Sequence, residues 1–272
     1  MGMEKVSGER KKRRMRQKKI TAVQKLYDTC KEVFANCGPG VVPSGEGIER
    51  LKNILTGMTE LDVGVRPNMP YFKIKETEGF PKITYLHLSE CDKFSHLPWQ
   101  IGIFLLPPSG VLPLHNHPQM TVFSKLLFGT MHIKAYDWVD DGGSISLAPK
   151  ADSSEAEVEP VNVRLAKLKV DSNFTAPCDT SILYPNDGGN MHCFTAITSC
   201  AVLDVLGPPY NDPDGRHCQY YRTHPFASFS VDDKKLADGE TSENYAWLEE
   251  IEKPRGLAVI GAMYNGPKIV EK

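Results

Sequence analysis

The chain has no long apolar run. Nowhere do its 272 residues offer the roughly 20 consecutive apolar positions that a membrane-crossing helix needs, and no apolar segment follows the basic start, as a secretory leader would require. Met1-Gly2 opens like a lipidation signal, but Val6 stands where that signal wants Ser or Thr. An excess of one charge sign is missing too: 32 Lys and Arg face 34 Asp and Glu, for a formal net charge of −2. Field-driven binding to nucleic acid is therefore not expected. Paired cysteines are absent. The seven thiols, at 30, 37, 91, 178, 193, 200 and 218, are odd in number and lack zinc-like spacing, which predicts free thiols in a reducing compartment.

The apolar content of 40% is that of an ordinary globular protein. The one local concentration of charge is Lys11, Lys12, Arg13, Arg14, Arg16, Lys18 and Lys19. Residues 1–19 read as a disordered basic tail, either a solvated arm or a nuclear import signal. From Ile20 the periodicity turns helical, with Val23, Leu26, Tyr27, Cys30, Val33 and Phe34 on one face and Gly38-Pro39-Gly40 as the stop. Ile48, Leu51, Ile54, Leu55 and Met58 predict a second helix.

After Pro67 the texture becomes short apolar runs cut by Pro, Gly and Asp. Strands are predicted over 83–88, 100–106, 121–127, 131–138, 162–170, 181–184, 192–197 and 201–206. Within 162–170 the pair Val163 and Leu165 and the pair Leu168 and Val170 are out of phase by one residue. Asp140-Asp-Gly-Gly143 is a turn signal, and residues 148–160 form an acidic, Ser-rich insertion. Tyr245–Ile251 reads as a short helix and 257–263 as a final strand. Many short strands at this spacing predict a sandwich or barrel, here one domain over 20–272.

Three histidines stand out. His115 and His117 occupy Pro113-Leu-His-Asn-His-Pro118, and His192 lies in Pro185-Asn-Asp-Gly-Gly-Asn-Met-His-Cys-Phe194. Residues two apart on a strand share a face, so the first pair could present two imidazoles to one point. A third from a distant strand would complete a set of neutral nitrogen ligands suited to Fe, Zn, Cu or Ni. A structural trio is the plainer alternative. A two-His-one-carboxylate centre would need an acid beside Asn116 or His117, and none is there.

The two segments resemble the paired motifs of the cupin superfamily. Gly110, His115, His117 and Gly129 fit the first motif, whose usual Glu is missing at Thr121 or Val122. Pro185, Gly189 and His192 fit the second. Longer strings narrow the resemblance to the plant cysteine oxidases among thiol dioxygenases: Leu105-Leu-Pro-Pro-Ser-Gly110, Leu114-His-Asn-His-Pro118, Val205-Leu-Gly-Pro-Pro-Tyr210 and Asp214-Gly-Arg-His-Cys-Gln-Tyr-Tyr221.

The resemblance implies a mainly β cupin fold, a double-stranded β-helix or jelly-roll-like barrel with helices at its N-terminal flank. It implies one Fe(II) per chain on His115, His117 and His192, with Asp204, Tyr210 and Cys218 as further active-site residues. The implied reaction converts the N-terminal cysteine of proteins to cysteine sulfinic acid with O₂. The implied targets are transcription factors fed to the N-degron route, so that the enzyme senses oxygen in the hypoxia response. No carboxylate-gripping Arg can be assigned. A monomer in nucleus and cytoplasm, with no membrane or direct nucleic-acid contact, completes the expectation. Two alternatives remain open: a cupin dioxygenase or isomerase of small metabolites, and a non-enzymatic nuclear cupin that binds partners.

Overall fold

The computed structural model describes residues 20–73, 81–88, 99–139, 143–149, 159–229 and 241–271. The expected basic tail, most of the acidic insertion and the start of the Asp140 turn lie outside these residues. Two helices come first, α1 (Ala22–Val33) and α2 (Gly45–Thr56). The hydroxyls of Thr21 and Ser44 cap their first turns by accepting from the amides of Gln24 and Gly47. Their apolar stripes, led by Val23, Leu26, Leu51 and Leu55, are fully buried.

Thirteen strands follow among the described residues: β1 (Ile83–His87), β2 (Gln100–Leu106), β3 (Val111–His115), β4 (Thr121–Phe128), β5 (Thr130–Trp138), β6 (Ile145–Leu147), β7 (Val161–Thr175), β8 (Ser181–Leu183), β9 (Met191–Ala196), β10 (Cys200–Gly207), β11 (Tyr220–Pro225), β12 (Tyr245–Ile251) and β13 (Val259–Ala262). One sheet has the order β13-β1-β2-β10-β4-β8. The other runs β12-β11-β3-β9-β5-β7-β6, and a further pairing of β12 with β7 closes six of its strands into a ring. This mainly β architecture, a closed barrel backed by a second sheet, is that of the expected cupin fold.

The chain's layers follow from strand alternation. Ile101, Ile103, Leu105, Leu203 and Val205 face the helices in one core. Leu106, Leu126 and Val202 face the other way, onto Leu112, Met131 and Phe194 of the ring. The ring's own interior is filled by Leu114, Tyr136, Ala166, Met191, Tyr221 and Leu248. Helices, first sheet and ring are thus stacked, and the central strands β2, β10 and β4 of the first sheet are buried on both faces.

Two expectations need correction. Tyr245–Ile251 is strand β12, not a helix. Tyr245, Ala246, Trp247 and Leu248 are all buried, because one face looks into the ring and the other onto Val163, Leu165 and Phe229. Covering both faces erases the alternation by which a strand is recognised. The phase slip in β7 has a similar origin. Val163 and Leu165 pack on that outer cluster, Ala166 and Leu168 point inward, and an irregularity at Lys169 skips one residue opposite Ala135 and Tyr136. Strands β3, β6 and β11 have no counterpart among the predicted strand ranges.

Trp247 anchors this closure. Its ring is fully buried, its indole N–H donates to the Phe226 carbonyl at 3.2 Å, and its strand pairs with both β11 and β7. Trp247→Ala is expected to destabilise the protein by about 3–5 kcal/mol, the usual cost of deleting a buried aromatic. Denaturant unfolding measures this, and a loss under about 1 kcal/mol would show that the ring closes without this contact.

Candidate metal centre

His115 ends β3 and His192 lies on β9, and the two are directly paired across the ladder. One extra residue makes this possible. Leu112 pairs with Phe194 and His115 with His192, so three steps along β3 match two along β9. Without that bulge Leu114, not His115, would stand beside His192; the bulge turns Leu114 into the ring and His115 toward the first sheet. Pro113, which has no amide hydrogen to give to a ladder, occupies the irregular stretch.

His117 is not on the strand. The expectation that strand alternation aligns His115 with His117 is therefore corrected: β3 stops at His115, and His117 sits in the following turn. What holds it there is Asn190. The His117 amide donates to Asn190 Oδ1 at 3.0 Å, and Asn190 Nδ2 donates to the carbonyls of His117 at 2.9 Å and Tyr184 at 2.8 Å. Asn190 is in turn held by Asp137, whose carboxylate accepts from the amides of Gly189 and Asn190 at 2.8–3.0 Å. Gly189 has φ +83°, and a Cβ there would lie 2.6 Å from the Cβ of Ala135, so the loop needs glycine at this point. Both Asn190 and Asp137 are buried.

The candidate ligand atoms of His115, His117 and His192 lie within 4.8 Å of one another. His115 Nδ1 is 2.8 Å from the Pro113 carbonyl, to which only an N–H can bond. Tyr210 donates its hydroxyl hydrogen to the Asn116 carbonyl at 2.7 Å and so accepts from His117 Nδ1 at 3.0 Å. Both contacts place the ring proton on Nδ1 and leave the Nε2 lone pair free, the arrangement that supports a metal ligand. Nε2 of His117 and Nε2 of His192 are 3.3 Å apart. Burial lowers the pKa of all three imidazoles, those of His117 and His192 well below the usual range. At neutral pH the cluster is a set of uncharged nitrogen donors, which is what a divalent transition metal requires.

A cavity of about 100 Å³ opens beside the cluster, between the two sheets, and Asp204, Tyr210, Cys218 and Tyr220 line it. The structure thus brings all six sequence-expected residues to one place. Asp204 lies on β10 opposite Ser124 of β4 and is buried. Its Oδ1 and the Ser124 hydroxyl have no hydrogen-bond partner among the described residues. Burial pushes the Asp204 carboxyl up to about 7. Burial likewise raises the Cys218 thiol and the Tyr210 phenol, so both are protonated at neutral pH. Asn116 draws the Cys218 segment in by accepting from the Gln219 amide at 2.9 Å. Sequence reasoning missed Asn190 and Asp137; the Gly-Gly-Asn run was the signal for the first, and nothing local marked the second.

A ring of strands carrying three neutral imidazoles beside a buried acid defines a cupin metal-binding protein. Residues 54–269 match the PCO_ADO family, and the chain belongs to it. It is 59% identical over 268 residues to Plant cysteine oxidase 2 of Arabidopsis thaliana, covering 97% of this chain and 90% of that protein. Identity to Plant cysteine oxidase 1 of the same plant is also 59%, over 256 residues, covering 92% and 81%. The 2-aminoethanethiol dioxygenase of Homo sapiens is 31% identical over 233 residues, covering 82% of each chain.

Two expected outcomes follow from the geometry. Asn190→Ala removes the clamp but no ligand, so metal affinity should fall by about 10- to 100-fold, as losses of ligand support commonly do, and Asp137→Asn should shift it in the same direction. Metal titration by calorimetry checks this; wild-type affinity in both variants would mean His117 is held by something else.

Asp204 gives a pH signature in the metal-free protein. Its folded value near 7 exceeds the unfolded carboxylate value of about 3.9. Below pH 4 both states are protonated and nothing is lost. As pH rises toward 7 the unfolded state releases its proton first, so ionisation opposes folding, with the full cost above 7. Asp204→Asn should therefore raise the melting temperature at pH 8 and leave it nearly unchanged at pH 4. Equal effects at the two pH values would show that the carboxylate is not strained.

Proposed function

We propose that this chain is an iron(II)-dependent dioxygenase that converts an N-terminal cysteine to cysteine sulfinic acid, R–SH + O₂ → R–SO₂H. The observation that carries the reading is the cluster of three uncharged imidazoles, with no carboxylate in it among the described residues, beside a cavity lined by the buried acid Asp204. Three neutral ligands leave the charge of a divalent ion uncompensated, which favours an anionic, soft substrate atom, and a thiolate is such an atom. Bound at this set, iron(II) would supply Lewis acidity toward the thiol and the redox capacity to activate oxygen.

The side chains supply the rest. Asp204, which lines the cavity, would accept hydrogen bonds from a cationic α-amine. Tyr210 fixes the tautomer of His117, and the neutral Cys218 thiol stands beside the Tyr210 and Tyr220 hydroxyls. Among the described residues neither Arg nor Lys lines the cavity wall, a lining better suited to a peptide bond than to a free amino acid's carboxylate. The names of the relatives, cysteine oxidase and 2-aminoethanethiol dioxygenase, share an amine two carbons from a thiol, the unit that a protein's N-terminal cysteine presents.

We extend the proposal to the cell: oxidised N-termini of transcription factors would enter the N-degron route, so that oxygen supply sets target lifetime. Targets made in the cytosol and working in the nucleus would be met by a protein present in both compartments. A fusion to a bulky partner, with and without residues 1–19, would show whether the basic run directs import.

The enzymatic test is a Cys-initiated peptide incubated with iron-loaded protein and O₂. The product should gain two oxygen atoms by mass, His192→Ala should abolish the gain, and acetylating the α-amine should slow it at least tenfold. No mass gain refutes the dioxygenase reading; equal rates for free and acetylated peptide refute amine recognition alone.

A further inference from the structure

A second cavity lies behind His192, on the side away from the thiol site. It runs between the two sheets toward Cys178, Asp179 and Gly188, and its wall is formed mainly by Leu126, Met131, Ile133, Phe174 and Val202. Its volume is about 60 Å³. The two cavities share only His192 and Phe194, whose rings stack at 4.3 Å and 15°. On the opposing sheet Ser124 faces this cavity and Asp204 faces the metal cavity, and the two residues are direct neighbours across β4 and β10. The partition is therefore one stacked ring pair and one polar pair.

We propose that this cavity is a dioxygen site, and that it feeds the metal cavity past the His192–Phe194 partition while the thiol substrate enters by the other side. The proposal rests on the dioxygenase reading above and adds where the gas waits and how it arrives. Three observations carry it. The lining is apolar at its centre, and apolar cavities stay dry and take up small apolar molecules. The space suits a diatomic gas and is too small for a peptide side chain of any length. Most telling is the division of space: the metal cavity, at about 100 Å³, is filled once a cysteine with its amine and peptide bond occupies it. Oxygen that arrives afterwards needs a path the peptide does not block. The second cavity meets the first at a metal-ligand ring, so its contents have little distance left to travel.

Two residues that shape the cavity, Ile133 and Val170, belong neither to the imidazole cluster nor to the lining of the metal cavity. Ile133 is on β5 and Val170 on β7, from two different elements. Ile133→Phe and Val170→Phe should narrow the space while leaving the imidazoles in place. Crystals of the iron-loaded protein pressurised with xenon provide the direct reading. Xenon should appear between Met131, Ile133 and Val202. In both Phe variants the KM for oxygen should rise at least fivefold, with iron content, the KM for a Cys-initiated peptide and kcat at saturating oxygen unchanged.

Absence of xenon from the wild-type cavity overturns the gas site. Xenon in place with wild-type oxygen KM in both variants overturns the delivery route. Failure of the underlying reading looks different: no oxygen consumption with any Cys-initiated peptide, whatever xenon does, which removes the delivery claim and leaves only a gas-binding cavity.

Discussion

One added residue in β3 determines the geometry of the whole site. Because Leu112 opposes Phe194 and His115 opposes His192, side-chain parity on β3 reverses between them. Leu114 is thereby spent on the ring's interior and His115 is delivered to the space between the sheets. A slip of this kind normally weakens a ladder, since it leaves backbone groups unpaired. Here the strand ends immediately afterwards, and the lost strand contacts are replaced by side chains: Asn190 on the main chain of His117, Tyr210 on its ring and on the Asn116 carbonyl. The ligand least supported by secondary structure is the one most surrounded by specific hydrogen bonds.

The electrostatics of the site follow from its depth. The same burial that keeps the imidazoles uncharged also raises the Asp204 carboxyl. In the metal-free fold these groups work against stability once they ionise, and the neighbouring Ser124 hydroxyl offsets only part of what burial does to Asp204. Such a cluster is costly to a fold, and perturbed groups of this kind concentrate at functional sites. A divalent ion next to the imidazoles and an ammonium next to Asp204 would turn each of these costs into an attraction.

Much of this was legible in the sequence, and what was not has a physical cause. The helices were readable because their stripes pack on one side only, with Leu26 and Leu51 buried and Lys25 and Lys52 outward. Strand β2 was readable to the residue, being bounded by clear breaks. β12 failed because it is covered on both faces, and β11 because Arg222, Thr223 and Pro225 are exposed at the ring's surface, leaving no apolar pattern. The three histidines were visible as a motif, yet the reason they converge was not. Alternation would have aligned His115 with His117 only if the strand had continued past His115, and nothing local announced the bulge that turns His115 toward the first sheet. Asp137 was invisible because its partners, the amides of Gly189 and Asn190, lie more than 50 residues away in the chain.

The stacked layers also explain why a site with two approaches can exist in so small a domain. The ring's interior is packed around Leu114, Tyr136, Met191 and Leu248, away from the histidine cluster. A sandwich alone would leave the metal cavity open along an edge. Placing the first sheet against β3, β9 and β5 creates an interior that is neither, and the side chains of β9 divide it. His192 and Phe194 must point into this layer because Met191 and Cys193, their alternate neighbours, are committed to the ring. The ligand and the partition therefore come from the same two residues, and any change that moves one moves the other. Access to the metal from either side is, for that reason, governed by the register of β9 more than by any loop at the surface.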